Sequence, residues 1–139
     1  MEYKRFNDTI VLRLDPDDEI CESILKVADK ENIGLAEING LGATDDFAVG
    51  VYNVEKQKFL ADHFSGYYEI VSLTGNLTTM NGKSYLHLHM SAGDKDGKVV
   101  GGHLKYAVIS ATAEIFIRII EGKVEREVST DTGLNIFKF

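Results

Sequence analysis

Two tight-turn signals constrain the middle of the chain more than any other feature of the sequence. Asn81-Gly82 is the strongest short hairpin signal in the chain, because both residues tolerate the positive φ angles of a type I′ turn. A second turn signal, Asp94-Lys95-Asp96-Gly97, follows the next strand-like segment. Since tight turns join antiparallel strands and parallel strands need long crossovers, three successive strands must be antiparallel neighbours.

The first turn predicts a register that separates apolar from polar side chains. A two-residue loop at Asn81-Gly82 pairs Met80 with Lys83, and the pairing continues outward from there. Because successive side chains alternate between the two faces, a correct register should sort them by polarity. The resulting apolar pairs are Leu77 with Leu86 and Leu73 with Met90, and the polar pairs are Thr78 with Tyr85, Asn76 with His87 and Thr74 with His89.

The second turn allows two registers, and polarity favours one of them. A two-residue loop would pair Leu88 with His103 and mix the two faces. A three-residue loop with Gly97 in the left-handed position of a β-bulge pairs Asp94 with Lys98 instead. His89 then faces His103. We predict this second register, because aspartate favours the turn and glycine adopts a positive φ without steric cost.

In this register three histidines project from one face. His89 and His103 are directly opposite, about 4.5–5.5 Å apart at Cβ, and His87 lies on the diagonal at about 7–8 Å. Three protein ligands and an open position are typical of catalytic zinc, although nickel, copper and iron also accept imidazole. The alternative is that His87, His89 and His103 are half-exposed residues on the wet face of a sheet. The sequence therefore predicts a candidate divalent-metal site, with zinc as the expected ion.

Several neighbours of the histidines are candidates for a supporting role. Thr74 and Asn76 could orient the imidazoles, or they could simply pair across the strands. Gly101 and Gly102 interrupt a strand, which indicates a bulge or a close approach by backbone or ligand. Lys105 shares the strand parity of His103 and could hold an anionic substrate.

Two carboxylates are candidates for catalysis. Glu69 or Glu114 could act as a general base beside a bound metal. The alternative is a structural ion pair, for which Arg118 on the strand of Glu114 is a candidate partner. A bulge between Glu69 and Leu73 would be needed to turn Glu69 outward. His63 stands apart from the cluster and is expected to be a surface residue.

The remainder of the chain predicts one helix and many strands. Asp15 suits the N-cap of a helix, Pro16 suits its first position, and Asn32 and Gly34 suit its end. An α+β fold follows, with a mostly antiparallel sheet strongly curled or closed into a small barrel, in a single domain over residues 1–139. The predicted strands are 6–14, 35–41, 47–54, 59–65, 67–80, 84–93, 99–108, 111–120, 124–128 and 134–139.

Composition narrows the classes of function. A net charge of −7, with scattered basic residues, argues against a general nucleic-acid binder. One cysteine excludes an intrachain disulfide, and the N-terminus lacks the apolar segment of a secretory signal. No apolar run approaches the roughly 18 residues of a membrane span. The cytoplasm is the expected compartment.

The run HLHMSAGDKDGKVVGGHL resembles the central signature of the PPC ("plants and prokaryotes conserved") domain. The similarity continues through KRFNDTIVLRLDPDDEI, INGLGATDDFAVGVYNVEKQKF, YYEIVSLTGNL and ATAEIF, in the expected order over nearly the whole chain. The segment PDDEI departs from the family, which often has a glycine in this loop.

The resemblance implies a curved antiparallel sheet, assembly as a homotrimer, and a metal held in some stand-alone members by His87, His89 and His103. Plant members carry an Arg-Gly-Arg-type segment for the DNA minor groove, which this sequence lacks. Prokaryotic members are often labelled as DNA-binding. The leading hypothesis is a trimeric binding or regulatory protein with a metal site. The alternatives are a small metal-dependent enzyme acting on a small polar substrate, and a DNA binder.

Overall fold

The computed structural model describes all 139 residues and consists of one helix and eight strands. This composition confirms the predicted α+β class. The elements are β1 (Glu2–Phe6), β2 (Thr9–Leu14), α1 (Ile20–Glu31), β3 (Ala36–Asn53), β4 (Lys58–Met80), β5 (Lys83–Gly93), β6 (Val99–Ile119), β7 (Glu125–Val128) and β8 (Asn135–Lys138).

Four strands close into a ring. β3 pairs with β4, β4 with β5 and β5 with β6, and β6 pairs back onto β3, all antiparallel. The β1–β2 hairpin extends the sheet from β6, and β7–β8 joins the end of β4 through one parallel pair. The predicted curled antiparallel sheet is therefore confirmed.

Three strands are longer than the sequence suggested. In each of these strands, two segments that were predicted as separate form one continuous strand. The pairs are 35–41 and 47–54 in β3, 59–65 and 67–80 in β4, and 99–108 and 111–120 in β6. Register shifts interrupt the pairing of β3 at Gly40/Gly42 and at Thr44/Asp46 without ending the strand. A bulge bends and twists a strand while pairing continues beyond it, so polar and glycine residues there mark bends and not ends.

The helix begins later than predicted, and Asp15 is not its N-cap. The N-cap is Glu19, whose carboxylate accepts hydrogen bonds from the backbone N–H groups of Cys21 and Glu22. The same carboxylate accepts the N–H of Ala107 in β6 at 3.0 Å, a contact that local sequence could not reveal. The helix ends at Asn32, as predicted, and Asn32 adopts the left-handed conformation. No helix of the structure could cross a membrane.

The core lies between the helix and the inner face of the ring. It contains 24 buried apolar residues. The removal of their apolar surface from water stabilises the fold. β4, β5 and β6 contribute residues such as Leu77, Leu88 and Leu104 to it. Because strand residues alternate between faces, the residues between these core positions point to the outer face of the ring.

Gly102 lies at a close approach between the backbones of β6 and β3. A Cβ at this position would lie 2.5 Å from the carbonyl oxygen of Gly50 and 3.0 Å from its nitrogen. Of the two interpretations of Gly101-Gly102, the structure supports a close backbone approach at Gly102.

We expect Gly102→Ala to lower the free energy of unfolding by about 1–3 kcal/mol, the usual cost of forcing extra volume into a packed site. Gly93→Ala is the matched control, because its Cβ would meet nothing closer than 3.5 Å. Urea unfolding of both variants measures the difference. Equal stabilities for the two variants would contradict the close approach.

Candidate metal centre

Three imidazoles from two strands meet on the outer face of the ring. His89 is directly opposite His103, and His87 faces Asn76, as the register predicted. The ring centroids of the three histidines are 4.9, 5.2 and 5.6 Å apart. One ring nitrogen from each lies within 4.8 Å of the others. No other group of metal-ligating side chains in the structure converges in this way.

The turn between β5 and β6 brings the third histidine to this face. Gly97 adopts a φ of +76°, the left-handed conformation that glycine tolerates best. The Asp94 carboxylate accepts the N–H groups of Asp96 and Lys98, both at 2.9 Å, and the Asp94 N–H donates to the Lys98 carbonyl. The predicted three-residue loop is therefore confirmed.

The electrostatic environment disfavours the charged forms of His87 and His103, because it lowers the pKa of both imidazoles. Burial, together with the charges of His103, His89 and Arg126, lowers the pKa of His87 to about 4. Burial also lowers the pKa of His103, with a contribution from His89. A neutral imidazole keeps one nitrogen lone pair available for a metal. At neutral pH His87 and His103 therefore offer lone pairs and not positive charges.

None of the three imidazoles has a hydrogen-bond partner in the protein. The only histidine that forms one is His63. Buried or half-buried polar groups in folded proteins are normally satisfied by protein or water. The ring nitrogens of the three histidines are close together and are not engaged by other protein groups. They are therefore free to coordinate a metal, whereas histidines with a purely structural role would be hydrogen-bonded to the protein.

The residues proposed to support the histidines surround the cluster without bonding to it. Thr74 faces His89 and is exposed. The Asn76 side-chain oxygen accepts a hydrogen bond at 2.8 Å from Arg126 and none from His87. Gly101 lies opposite Ser91, and Lys105 is exposed two residues beyond His103.

The two candidate carboxylates differ in position. Glu69 is exposed, because a register shift between Ile70 and Ser72 turns its side chain outward. Its partner on β5 is Gly93, which separates it from the histidines. Gly93 is four residues beyond His89, or about 13 Å along the strand. Glu114 forms no ion pair, since Arg118 binds Glu37 instead. It lines an open cleft of about 310 Å³ together with Asn39, Ser72 and Thr74.

Two polar clusters were missed by the sequence analysis. The Asp46 carboxylate accepts hydrogen bonds from His63 at 2.8 Å and from Tyr106 at 2.9 Å, which lowers its pKa. No local pattern joins these three residues.

The second cluster surrounds Arg126, which is buried over the outer face of β4. No local pattern marked Arg126 as buried, since Val128, which shares its strand parity, is exposed.

Comparison with known proteins places the chain in a family. The family model of the Plants and Prokaryotes Conserved (PCC) domain matches residues 1–121. The chain belongs to this family, which is also abbreviated PPC. No curated protein matches the sequence.

Solved structures of similar proteins share the fold over nearly the whole chain. A "putative DNA binding protein" from Bacteroides thetaiotaomicron is 28% identical, with a TM-score of 0.96, covering 99% of this chain and 96% of that chain. A metal-containing protein from Archaeoglobus fulgidus is 30% identical, with a TM-score of 0.89 and coverages of 99% and 97%. A PPC protein from Pyrococcus horikoshii is 32% identical, with a TM-score of 0.87 and coverages of 99% and 94%.

The lowered pKa of His87 predicts a pH dependence of stability in protein freed of metal by chelation. Between the usual pKa of 6.5 and about 4, the unfolded state binds more protons at this residue than the folded state does. The free energy of unfolding therefore falls as pH is lowered through this window. Urea unfolding at pH 7, 6 and 5 should show a shallower fall for His87→Gln than for the unsubstituted protein.

His63→Gln is the control for this experiment, because His63 lies outside the cluster and is exposed. Its substitution should not reproduce the shallower fall seen with His87→Gln. Identical pH profiles for the unsubstituted protein and His87→Gln would show that the environment of His87 does not disfavour its charged form.

Proposed function

We propose that this chain is a homotrimeric binding or regulatory protein that holds a divalent metal, with zinc as the expected ion, on His87, His89 and His103. The observation that carries the proposal is the convergence of three imidazoles that form no hydrogen bond with the protein. The lowered pKa values of His87 and His103 support it. The 30% identical Archaeoglobus relative, described as metal-containing, supports it.

The geometry suits a tetrahedral ion with one open position. Zinc–nitrogen bonds of about 2.0–2.1 Å place ligand nitrogens roughly 3.4 Å apart. The histidine nitrogens already lie within 4.8 Å of one another, so small side-chain rotations would complete the coordination. Three protein ligands leave a fourth position for water or a small ligand, which suits a binding function as well as catalysis.

An exposed apolar groove beside the histidines supports self-association. Val51, Leu60 and Val99 are 64%, 45% and 57% exposed, and Val51 and Leu60 line the groove. Phe59, another residue of its lining, contacts the edge of the His103 ring at a centroid distance of 5.2 Å. Exposed apolar patches of this kind mark interaction surfaces. In this proposal, residues 1–139 form one domain and a second copy of the chain covers the groove.

Direct binding of duplex DNA is not part of the proposal. The Bacteroides relative is described only as a "putative DNA binding protein", and the net charge here is −7. Phosphate contacts require clustered cations. We place the protein in the cytoplasm, where association with DNA would proceed through a partner.

One observation favours the alternative of a small metal-dependent enzyme. Glu114, in the cleft of about 310 Å³, shares that cleft with Thr74, and Thr74 faces His89 across β4 and β5. A small polar substrate in the cleft could therefore reach both a free carboxylate and the metal site.

We expect His103→Ala to abolish metal binding and leave the fold largely intact, because the imidazole lies on the outer face of the sheet. Metal content after purification without an affinity tag, together with circular dichroism, measures both effects. His63→Ala is the control and should keep its metal. An unfolded His103→Ala protein with unchanged metal content would mean that the imidazole belongs to the structural framework.

We expect the protein to leave random-sequence duplex DNA unshifted at concentrations below about 10 μM in moderate salt, since its net charge is −7 and its basic residues are scattered along the sequence. An electrophoretic mobility shift assay at several salt concentrations tests this. Binding that weakens steeply as salt rises would reveal phosphate contacts and would restore direct DNA binding as the leading function.

A further inference from the structure

Arg126 is a buried cation without a carboxylate partner. Its residue surface is only 6% exposed. The guanidinium donates to three neutral acceptors, at 2.8 Å to Thr78 Oγ1, 2.8 Å to Asn76 Oδ1 and 2.7 Å to the Asn135 carbonyl. A buried charge is normally paired with an opposite charge, so the missing anion calls for an explanation.

The acidic residues beside Arg126 do not supply that anion. Glu125 and Glu127 flank it on β7, and alternation along the strand directs them to the opposite face. Glu125 binds Lys123 at 3.0 Å, and Glu127 binds Lys138 at 3.3 Å. Both carboxylates already have their own cations, and Arg126 remains without one.

Two aromatic rings hold the guanidinium of Arg126 in place, but no negatively charged group pairs with it. The ring centroids of Tyr85 and Phe137 lie 4.6 and 4.5 Å from the guanidinium carbon, which is a cation–π arrangement. Arginine has five N–H donors, and two of them have no acceptor here. Burial lowers the pKa of Arg126, as expected for a cation without an ion-pair partner.

The charge of Arg126 acts on the histidine cluster. Asn76, which accepts a hydrogen bond from Arg126, is directly opposite His87 in the β4–β5 pairing. Arg126 is also among the groups that lower the pKa of His87. The β7–β8 hairpin therefore places a fixed positive charge near His87, on one side of the histidine cluster.

We infer that the metal site binds a small oxyanion, a carboxylate or a phosphate, at its open coordination position, and that Arg126 selects this anion by its charge. The inference rests on the proposed metal site. Three neutral imidazoles bring no negative charge to a divalent cation, and Arg126 adds a further positive charge. An anion on the metal offsets part of this positive charge, whereas a neutral ligand offsets none of it.

Cobalt(II)-loaded protein provides the test, because its visible absorption responds to the ligand in the open position. Acetate and inorganic phosphate are titrated as the two anions, and imidazole is the neutral comparison. We expect both anions to bind, and Arg126→Gln to weaken their binding by about tenfold through loss of one nearby charge. Imidazole affinity should change by less than about twofold.

Two further variants separate charge from structure. Arg126→Lys keeps the charge and loses the guanidinium geometry, so it should restore most of the anion affinity. Lys138→Gln removes an exposed charge from the same hairpin and should leave anion affinity unchanged.

Three results would overturn the inference. One is an unsubstituted cobalt protein that binds neither acetate nor phosphate. Another is an Arg126→Gln variant that keeps full anion affinity. The third is equal weakening of acetate and imidazole binding in both Arg126 variants, which would assign Arg126 a structural role. A protein that takes up no cobalt would instead overturn the proposed metal site, and this inference with it.

Discussion

The geometry of one turn decides which face of the sheet His103 occupies. In the loop between β5 and β6, Gly97 adopts a left-handed conformation, and the Asp94 carboxylate binds two backbone N–H groups of the same loop. A loop one residue shorter would slide β6 by one position. Because side chains alternate, every residue of β6 would then exchange faces relative to β5. His103 would point into the core and Leu104 would point to solvent.

The core and the candidate site occupy opposite faces of the same strands. Leu88 and Leu104 pack among the 24 residues of the core, while the histidines on the other face form no bonds that the fold requires. This separation frees the imidazoles for a ligand. Their ring nitrogens have no partner within the protein, and a bound metal would coordinate one nitrogen of each.

The histidine face is shaped by elements distant in sequence. Phe59 from β4 contacts His103 on one side. On another side Arg126 from β7 binds Asn76 beside His87. Phe59 gives the site an apolar side, and Arg126 gives it a nearby positive charge. Without them the site would consist only of three imidazoles on the surface of the sheet. The C-terminal hairpin that carries Arg126 lies beyond residues 1–121, which match the family model.

The features that could be predicted from the sequence depend on residues close together in the chain. The Asn81-Gly82 and Asp94–Gly97 turns fixed the pairing of β4, β5 and β6, because turn chemistry and side-chain alternation had to agree. The end of the helix at Asn32 was likewise predictable from its residue type.

Features that depend on distant contacts could not be predicted. Glu19 caps the helix while also holding the N–H of Ala107, and nothing near Glu19 in sequence indicates that strand. The continuity of β3 depends on its partners β4 and β6, which keep it paired across its bulges. The Asp46, His63 and Tyr106 cluster joins three separate strand segments.

The most direct test of the account is an anomalous difference map from a crystal of the untagged protein grown without added metal. The account predicts a peak about 2.0–2.1 Å from one ring nitrogen of each of His87, His89 and His103. A map with no peak there, and with the imidazoles bonded only to water, would contradict it.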